Sequence, residues 1–467
     1  ENHCTIFTIA ESPLDEKMIW VGTDDGNLQL TLDGGKTWTN VANNYKAAGV
    51  PAQTWVSSIE PSRYDKNVVY ATFDNHMYGD MKTYLARSTD MGKTWTMLRS
   101  DNFKGYAHKI REDIVSKDLL FLGTEMGLYA SIDGGKNWTQ MKAKVPEYCL
   151  VRDIAIEPKT NDLILATHGR GILIVDDISP LRKINDQLLN SDIAFIPSRP
   201  TPVTNGHYGQ GWPDAGGFVG PNSTEEALIT YYLKERVNSG SVNVQVYDSK
   251  GALVVELPGT KRKGLNKITW NMRTKPPRVA EGGSKADWAS TVGPMVHDGK
   301  YTIKIVANDK MASGELELIA DPRSSFTAEQ REANYAAVER TKKMEEELAV
   351  VMDSLLAEQQ MIKEVKDLSP VITEYYDSLE SIRKSLVPVK EGNNVLFVDE
   401  ENLREKVTDI YYGVNFYEGQ PTGSQQEGMN SIQKEMNEAR TKIEERKKTY
   451  RPKVKAELKR LGKNQPY

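Results

Sequence analysis

Three short strings place carboxylates where chemistry could happen. Asp24 and Asp25 lie in GTDDG, Asp74 in TFDN, and Glu125 in GTEMG. Two carboxylates facing each other across a cleft, about 5–9.5 Å apart, can hydrolyse a glycosidic bond. Asp24, Asp25 and Glu125 are therefore the candidate catalytic residues. The competing role is turn formation, since D-G and D-D-G are hairpin signals. Four arginines, Arg63, Arg111, Arg152 and Arg170, also come from neighbouring segments. A cluster of that kind could grip a carboxylate bidentately, although Arg63 and Arg111 suit surface ion pairs as well. THGRG at 167–171 sets His168 and Arg170 among glycines. Loops carry function more often than cores do, so these two are candidate binding residues, with a blade-ending turn as the structural alternative.

The elements that would position these groups recur along the chain. Apolar runs end in Thr23, Thr72, Thr124 and Thr167, in MIWVGTDDG, NVVYATFDN, LLFLGTEMG and LILATHGRG. After the first three comes a turn: TLDGGKTW, STDMGKTW and SIDGGKNW. A unit of about 45 residues with roughly four short strands matches a β-propeller blade. No sustained helical period runs through these units. If they are blades, the four acidic side chains gather on one face.

In each turn the Asp can accept backbone N–H bonds, the glycines supply positive φ, and the Trp is expected to bury itself between neighbouring blades. The motif resembles the Asp box, S/T-x-D-x-G-x-x-W, of sialidase-like and related propellers. Asp33, Asp90 and Asp133 fit it, with Trp38, Trp95 and Trp138. In those families the box lies on the outer rim, so the resemblance implies a structural role.

GTDDGNLQLTLDGGKTW, LLFLGTEMGLYASIDGGKNW and LATHGRGILIVDDISPL together resemble secreted bacterial Asp-box (BNR repeat) proteins. These are often labelled glycosyl hydrolases, and their propeller is similar to that of sortilin receptors. FVGPN, KGLNKITWNMRT, DGKYTIKI and ADPR resemble the same group's second domain. The resemblance implies an extracytoplasmic protein that binds a protein, peptide or glycan. It also implies that this chain is a C-terminal portion, completed by missing N-terminal blades or a companion chain. The start at Glu1, almost directly in a strand, reads as a processed product or fragment. A closed four-bladed propeller is the alternative. A glycoside hydrolase and a subunit of a cell-envelope assembly are the other functional readings.

The expected architecture is mainly β with an α-helical C-terminal part. Residues 1–180 read as blades and 181–223 as a Pro/Gly-rich linker. Residues 224–323 read as an immunoglobulin- or fibronectin-like sandwich, with Trp288 as a core plug, and 324–467 as a helical bundle or coiled hairpin. Thr327 and Gln330 form a capping-box signal. Met344, Leu348, Val351, Leu355, Ile362 and Val365 share one helical face, as do Ile432, Met436, Ala439 and Ile443 further on. A further helix is expected over about 370–386. Pro452 is expected to kink or end the last helix. Between Arg446 and Lys463 lie nine Lys or Arg and one acid, Glu457, read as a solvated helix end or a strip for an acidic partner.

Bulk properties exclude several classes. Net charge is −5, which favours neither nucleic acid nor a membrane surface as a partner. No apolar run approaches the ~18–20 residues of a membrane span. Two cysteines, Cys4 and Cys149, exclude a disulfide scaffold or a cysteine metal cluster. They could pair if their units are adjacent, or stay free. The six histidines show no ligand spacing, and no metal or cofactor is implied. Asn222 heads a formal glycosylation sequon.

Overall fold

The computed structural model describes residues 4–142, 145–204, 224–280, 292–387 and 402–463. His3, His207, Asn222, Trp288 and residues 205–223 of the Pro/Gly-rich stretch lie outside these described residues. The chain divides into two compact units. One comprises 1–199 with 230–238 and 261–266. The other comprises 200–229, 239–260 and 267–467.

The first unit opens with four antiparallel meanders. Strands β1 (Ile6–Ser12), β2 (Asp15–Thr23), β3 (Leu28–Thr31) and β4 (Thr39–Asn40) form the first sheet. A short helix, α1 (Ala42–Ala47), leads to β5 (Trp55–Pro61), β6 (Val69–Asp74), β7 (Tyr84–Ser88) and β8 (Thr96–Met97). The third sheet holds β9 (Ala107–Glu112), β10 (Leu120–Thr124), β11 (Gly127–Ser131) and β12 (Thr139–Met141). The fourth has three strands, β13 (Val151–Ile156), β14 (Leu163–Thr167) and β15 (Ile172–Val175). Sheets of this form, packed face to face in chain order, are propeller blades.

The cores show the packing order. Met18, Trp20 and Leu28 of the first blade meet Val56, Ile59 and Phe73 of the second. Tyr70 and Leu85 of the second meet Ile110, Leu120 and Leu122 of the third. Phe121 and Leu128 of the third meet Ile154, Leu163 and Leu165 of the fourth. Both faces of the middle sheets are therefore apolar, which is why β6 and β10 are buried at every residue. A buried ion pair fastens the last blade's exit: Arg182 Nε and Nη2 each donate to Asp113 at 2.8 Å.

The register corrects one detail of the repeat. Ile9 faces Val21, Ile59 faces Ala71, Ile110 faces Leu122, and Ile154 faces Leu165. On that register Phe73, not Thr72, is the equivalent of Thr23, Thr124 and Thr167. Its ring is fully buried against Tyr45, centroids 4.4 Å apart.

Past the blades come α2 (Asp186–Asn190) and β16 (Ile193–Ile196), the latter antiparallel to Thr230–Leu233 of β18 (Ala227–Leu233). In the second unit β17 (Thr201–Val203), β23 (Lys310–Ala320), β22 (Gly299–Ala307), β19 (Val242–Tyr247) and β20 (Leu253–Pro258) form one five-stranded sheet in that order. β21 (Gly264–Trp270) completes the strands. Within the five-stranded sheet the β17–β23 pair is parallel.

Four longer helices follow: α3 (Ala328–Ile362), α4 (Pro370–Leu386), α5 (Leu403–Asn415) and α6 (Gly423–Arg460). Both long helices start at capping boxes, Thr327 with Gln330 and Thr422 with Gln425. Met344, Leu348, Val351, Leu355 and Ile362 are buried, as are Ile432, Met436, Ala439 and Ile443. Two expectations change. α5 was not foreseen, although Leu403, Val407, Tyr411 and Val414 recur at helical spacing and are buried. Pro452 does not end α6. The apolar stripe resumes beyond it at Val454 and Leu458, and the Tyr450 ring stacks on Tyr375 at 5.1 Å. Packing on both sides of Pro452 offsets the ~3 kcal/mol that an interior proline costs.

Candidate functional site

Each Asp box is a knot of short bonds. Asp33 accepts from the Thr37 N–H at 2.9 Å, the Thr37 hydroxyl at 2.7 Å and the Thr31 hydroxyl at 2.8 Å. Asp90 repeats this with Thr94 and Ser88, and Asp133 with Asn137 and Ser131. Bonds from Thr37 hold the Asp33 carboxyl at about 2, well below its ordinary value. All three aspartates thus spend both carboxylate oxygens on donors of their own turns. Trp95 and Trp138 are 8% and 2% exposed, but Trp38 is 44% exposed. The expected burial of Trp38 between blades does not occur.

The four positions that follow the repeated runs differ in their bonding. By register, Asp24, Asp74, Glu125 and His168 are equivalent. Asp24 is buried and accepts the Thr5 N–H at 2.8 Å, tying the start of β1 to the β2–β3 turn. Its neighbour Asp25 accepts from the Thr23 hydroxyl, from Asn27 and from the Cys4 thiol. The Thr23 bond is the chief reason that the Asp25 carboxyl sits below its usual range. Asp74 accepts both the His76 backbone N–H at 3.0 Å and its ring Nδ1 at 2.6 Å. Glu125 keeps one carboxylate oxygen, Oε2, enclosed and without a hydrogen-bond partner. His168 and Arg170 are exposed at the β14–β15 turn. Cys4 is exposed and Cys149 buried, and both are free thiols.

The strand starts at this end carry a row of rings. His76 lies flat on Tyr106, centroids 4.6 Å apart and planes at 18°. Trp55 meets His76 edge-on at 6.1 Å, Phe7 meets Trp55 at 5.4 Å, and Phe7 faces His108 at 6.4 Å. Arg152 Nη1 then donates to His108 Nε2 at 2.5 Å. Burial first, and Arg152 second, push the His108 pKa down, which keeps the ring neutral. All four blades contribute: Phe7 from the first, Trp55, Asp74 and His76 from the second, Tyr106 and His108 from the third, and Arg152 from the fourth. With Nδ1–H bound to Asp74, a neutral His76 presents Nε2 as an acceptor.

This row was missed in the sequence, apart from Asp74 and Arg152. The available signal was positional. Phe7, Ser57, His108 and Arg152 each precede a register isoleucine by two residues, and Trp55 and Tyr106 precede theirs by four.

Beside the row, the β6–β7 loop exposes Met77, Tyr78 and Met81 at 64%, 57% and 46%. An open cleft of about 800 Å³ adjoins it, lined by Asp80, Lys82, Arg99, Asp101 and Phe103. Of the four arginines, Arg63 and Arg111 line one small cavity of about 210 Å³ together with Lys109. Arg111 is bound to Glu60 at 2.8 Å, while Arg152 is on His108. Among the described residues no group of three potential metal ligands gathers, and no helix is long and apolar enough to cross a membrane.

No family model and no curated protein matches the chain. Among solved structures it is similar to YCF48 bound to a D1 peptide, at 18% identity over 36% of this chain and 50% of that one, with TM-score 0.26. It is similar to an ancestral GH74 enzyme at 14% identity, over 68% of this chain and 41% of the other, with TM-score 0.31. It is also similar to PorZ, a surface component of the type-IX secretion system of Porphyromonas gingivalis, at 14% identity over 67% and 52%, with TM-score 0.24. The chain thus spans half or less of the length of the first two structures. With scores this low, the blade assignment rests on the strand order and the packing of the sheets.

Proposed function

We propose that this is an extracytoplasmic, sortilin-like Asp-box propeller protein that binds a macromolecular ligand, a protein, peptide or glycan, without chemistry in this portion. The observation that carries the reading is the row Phe7–Trp55–His76–Tyr106, drawn from three blades and flanked by Arg152 and Glu125. Phe7, Trp55 and His76 are exposed or half-buried and offer apolar contact with little entropy to lose, while Tyr106, 6% exposed, backs them. Arg152 brings spare donors, since among the described residues it makes no ion pair, and Glu125 Oε2 offers an acceptor. An enclosed oxygen without a partner is costly, and a ligand N–H or O–H would relieve that cost. His168 and Arg170 extend the same face. The strands within 224–323 are read as an immunoglobulin- or fibronectin-like sandwich.

A second reading, a glycoside hydrolase, draws on Glu125 alone. Asp24, Asp25 and Asp74 are spent on backbone, hydroxyl and imidazole donors, so a second free carboxylate for Glu125 is lacking among these candidates. The test is an array of peptides and glycans probed with the wild type and with Arg152→Ala and Glu125→Gln. Binding should fall at least tenfold in the variants with folding intact, and no arrayed glycan should be cleaved. Hits that ignore both substitutions would refute the site, and cleavage lost in Glu125→Gln would establish the hydrolase.

A further inference from the structure

The second unit carries a cavity of its own, of about 150 Å³, where α3 meets the five-stranded sheet. Asp248 reaches it from the β19–β20 turn and Tyr301 from β22. Tyr335, Val338 and Glu339 come from α3, and Met295 and His297 from the segment leading into β22. So small a space takes one compact group rather than a sugar chain or a drug-sized molecule.

Two tyrosines form its walls and are fixed from outside. The Tyr301 hydroxyl donates to the His297 carbonyl at 2.8 Å, and that of Tyr335 to the Val296 carbonyl at 3.4 Å. Trp270 backs Tyr301 edge-on, centroids 5.4 Å apart. The His297 ring meets that of Tyr335 at 3.9 Å. With both hydroxyl protons spent on backbone carbonyls, what these rings offer a ligand is π surface. The face of such a ring is the negative part of its quadrupole and attracts cations.

The charge along the cavity has one sign. Asp248 and Glu339 line it, and among the described residues no lysine or arginine does. Asp248 is held in place because its Oδ1 accepts the Lys250 and Ala252 N–H groups at 2.9 and 2.8 Å. Both phenols feel neighbouring carboxylates. Burial first, then Tyr335, Asp248 and Asp298, push the Tyr301 pKa up. Burial first, then Asp298, push that of Tyr335 up to about 12, against the opposing charge of Arg331. A metal ion is a poor match, because no three potential ligands gather among the described residues. A quaternary ammonium needs no hydrogen bond, only π surface and negative potential, and this cavity supplies both.

We propose that the cavity binds the trimethylammonium head of a small organic cation, with choline as the simplest probe. The site does not depend on the ligand proposed for the blades.

NMR titration of the whole chain tests it at about pH 8, where an exposed imidazole is neutral. Choline is compared with its tert-butyl analogue, in which carbon replaces the charged nitrogen, and with glycine betaine, which adds an anion. Choline should bind saturably and shift the ring resonances of Tyr301 and Tyr335. The carbon analogue should bind about tenfold more weakly. Betaine should also be weaker, because its carboxylate meets Asp248 and Glu339. Tyr335→Leu should weaken choline about tenfold, whereas Tyr335→Phe, which keeps the ring, should stay within about twofold. Asp248→Asn with Glu339→Gln keeps shape and turn bonds, so its loss of choline affinity reads the charge even where Tyr335→Leu fails to fold. No saturable choline binding to the wild type would overturn the proposal. So would equal binding of the carbon analogue, or choline binding that ignores the loss of both carboxylates.

Discussion

His76 and Tyr106 stack with centroids 4.6 Å apart, although one ring comes from the second blade and the other from the third. Asp74 fixes the imidazole through Nδ1 at 2.6 Å. A side chain so held is a rigid contact, and the row it anchors is the basis of the ligand reading. His76→Ala should remove this contact while leaving the sheet ladders intact. Any array ligand should weaken at least fivefold, measured by fluorescence anisotropy, with thermal unfolding shifted by only a few degrees.

The three box tryptophans should not be equal. Trp138→Ala opens a buried inter-blade core and should cost about 3–5 kcal/mol. Trp38→Ala removes a ring that is 44% exposed and should cost under ~1.5 kcal/mol in the isolated chain. Denaturant melts of the two variants check the order, and equal losses would contradict the packing described.

Acid should loosen the blades through their boxes. The folded Asp33 carboxyl titrates at about 2, and those of Asp90 and Asp133 are also lowered. The unfolded value is about 3.9. Depressed folded values add stability above the unfolded pKa, and that stability drains as pH falls from about 4 toward 2. The melting temperature should therefore drop over this window, and Asp33→Asn should flatten part of the drop.

The Arg182–Asp113 pair should fasten the exit from the fourth blade. Asp113 is fully buried, so Arg182→Met leaves a buried carboxylate without its charge partner. The loss should be roughly 3 kcal/mol. Hydrogen exchange should localise it to β13–β15 rather than to the first blade.

Much of the fold was legible in the sequence because repeats write the same physics several times. Four apolar runs and three boxes marked the blades, and 3.6-residue stripes with Thr327 as cap marked the long helices. What escaped had one instance only. α5 is a single short helix between loops, and Pro452 is overridden by packing from Tyr450, Val454 and Leu458 that no local rule shows. The ring row escaped because each blade lends it one or two residues, of different type, at the starts of strands. Asp24, Asp25 and Glu125 were found as a set by repeat position. Yet position alone does not show that Thr5, Thr23 and Asn27 occupy the aspartates while Glu125 keeps an enclosed oxygen without a hydrogen-bond partner.

The central claim is that this face holds a ligand and leaves it intact. Hydrogen exchange of the protein with the strongest array ligand, followed by the ligand's mass, tests it most directly. The account predicts protection at residues 5–8, 54–56, 76–82 and 105–108 and around Glu125 and Arg152, with the ligand mass unchanged. Protection confined to other surfaces, or a ligand recovered in pieces, would contradict it.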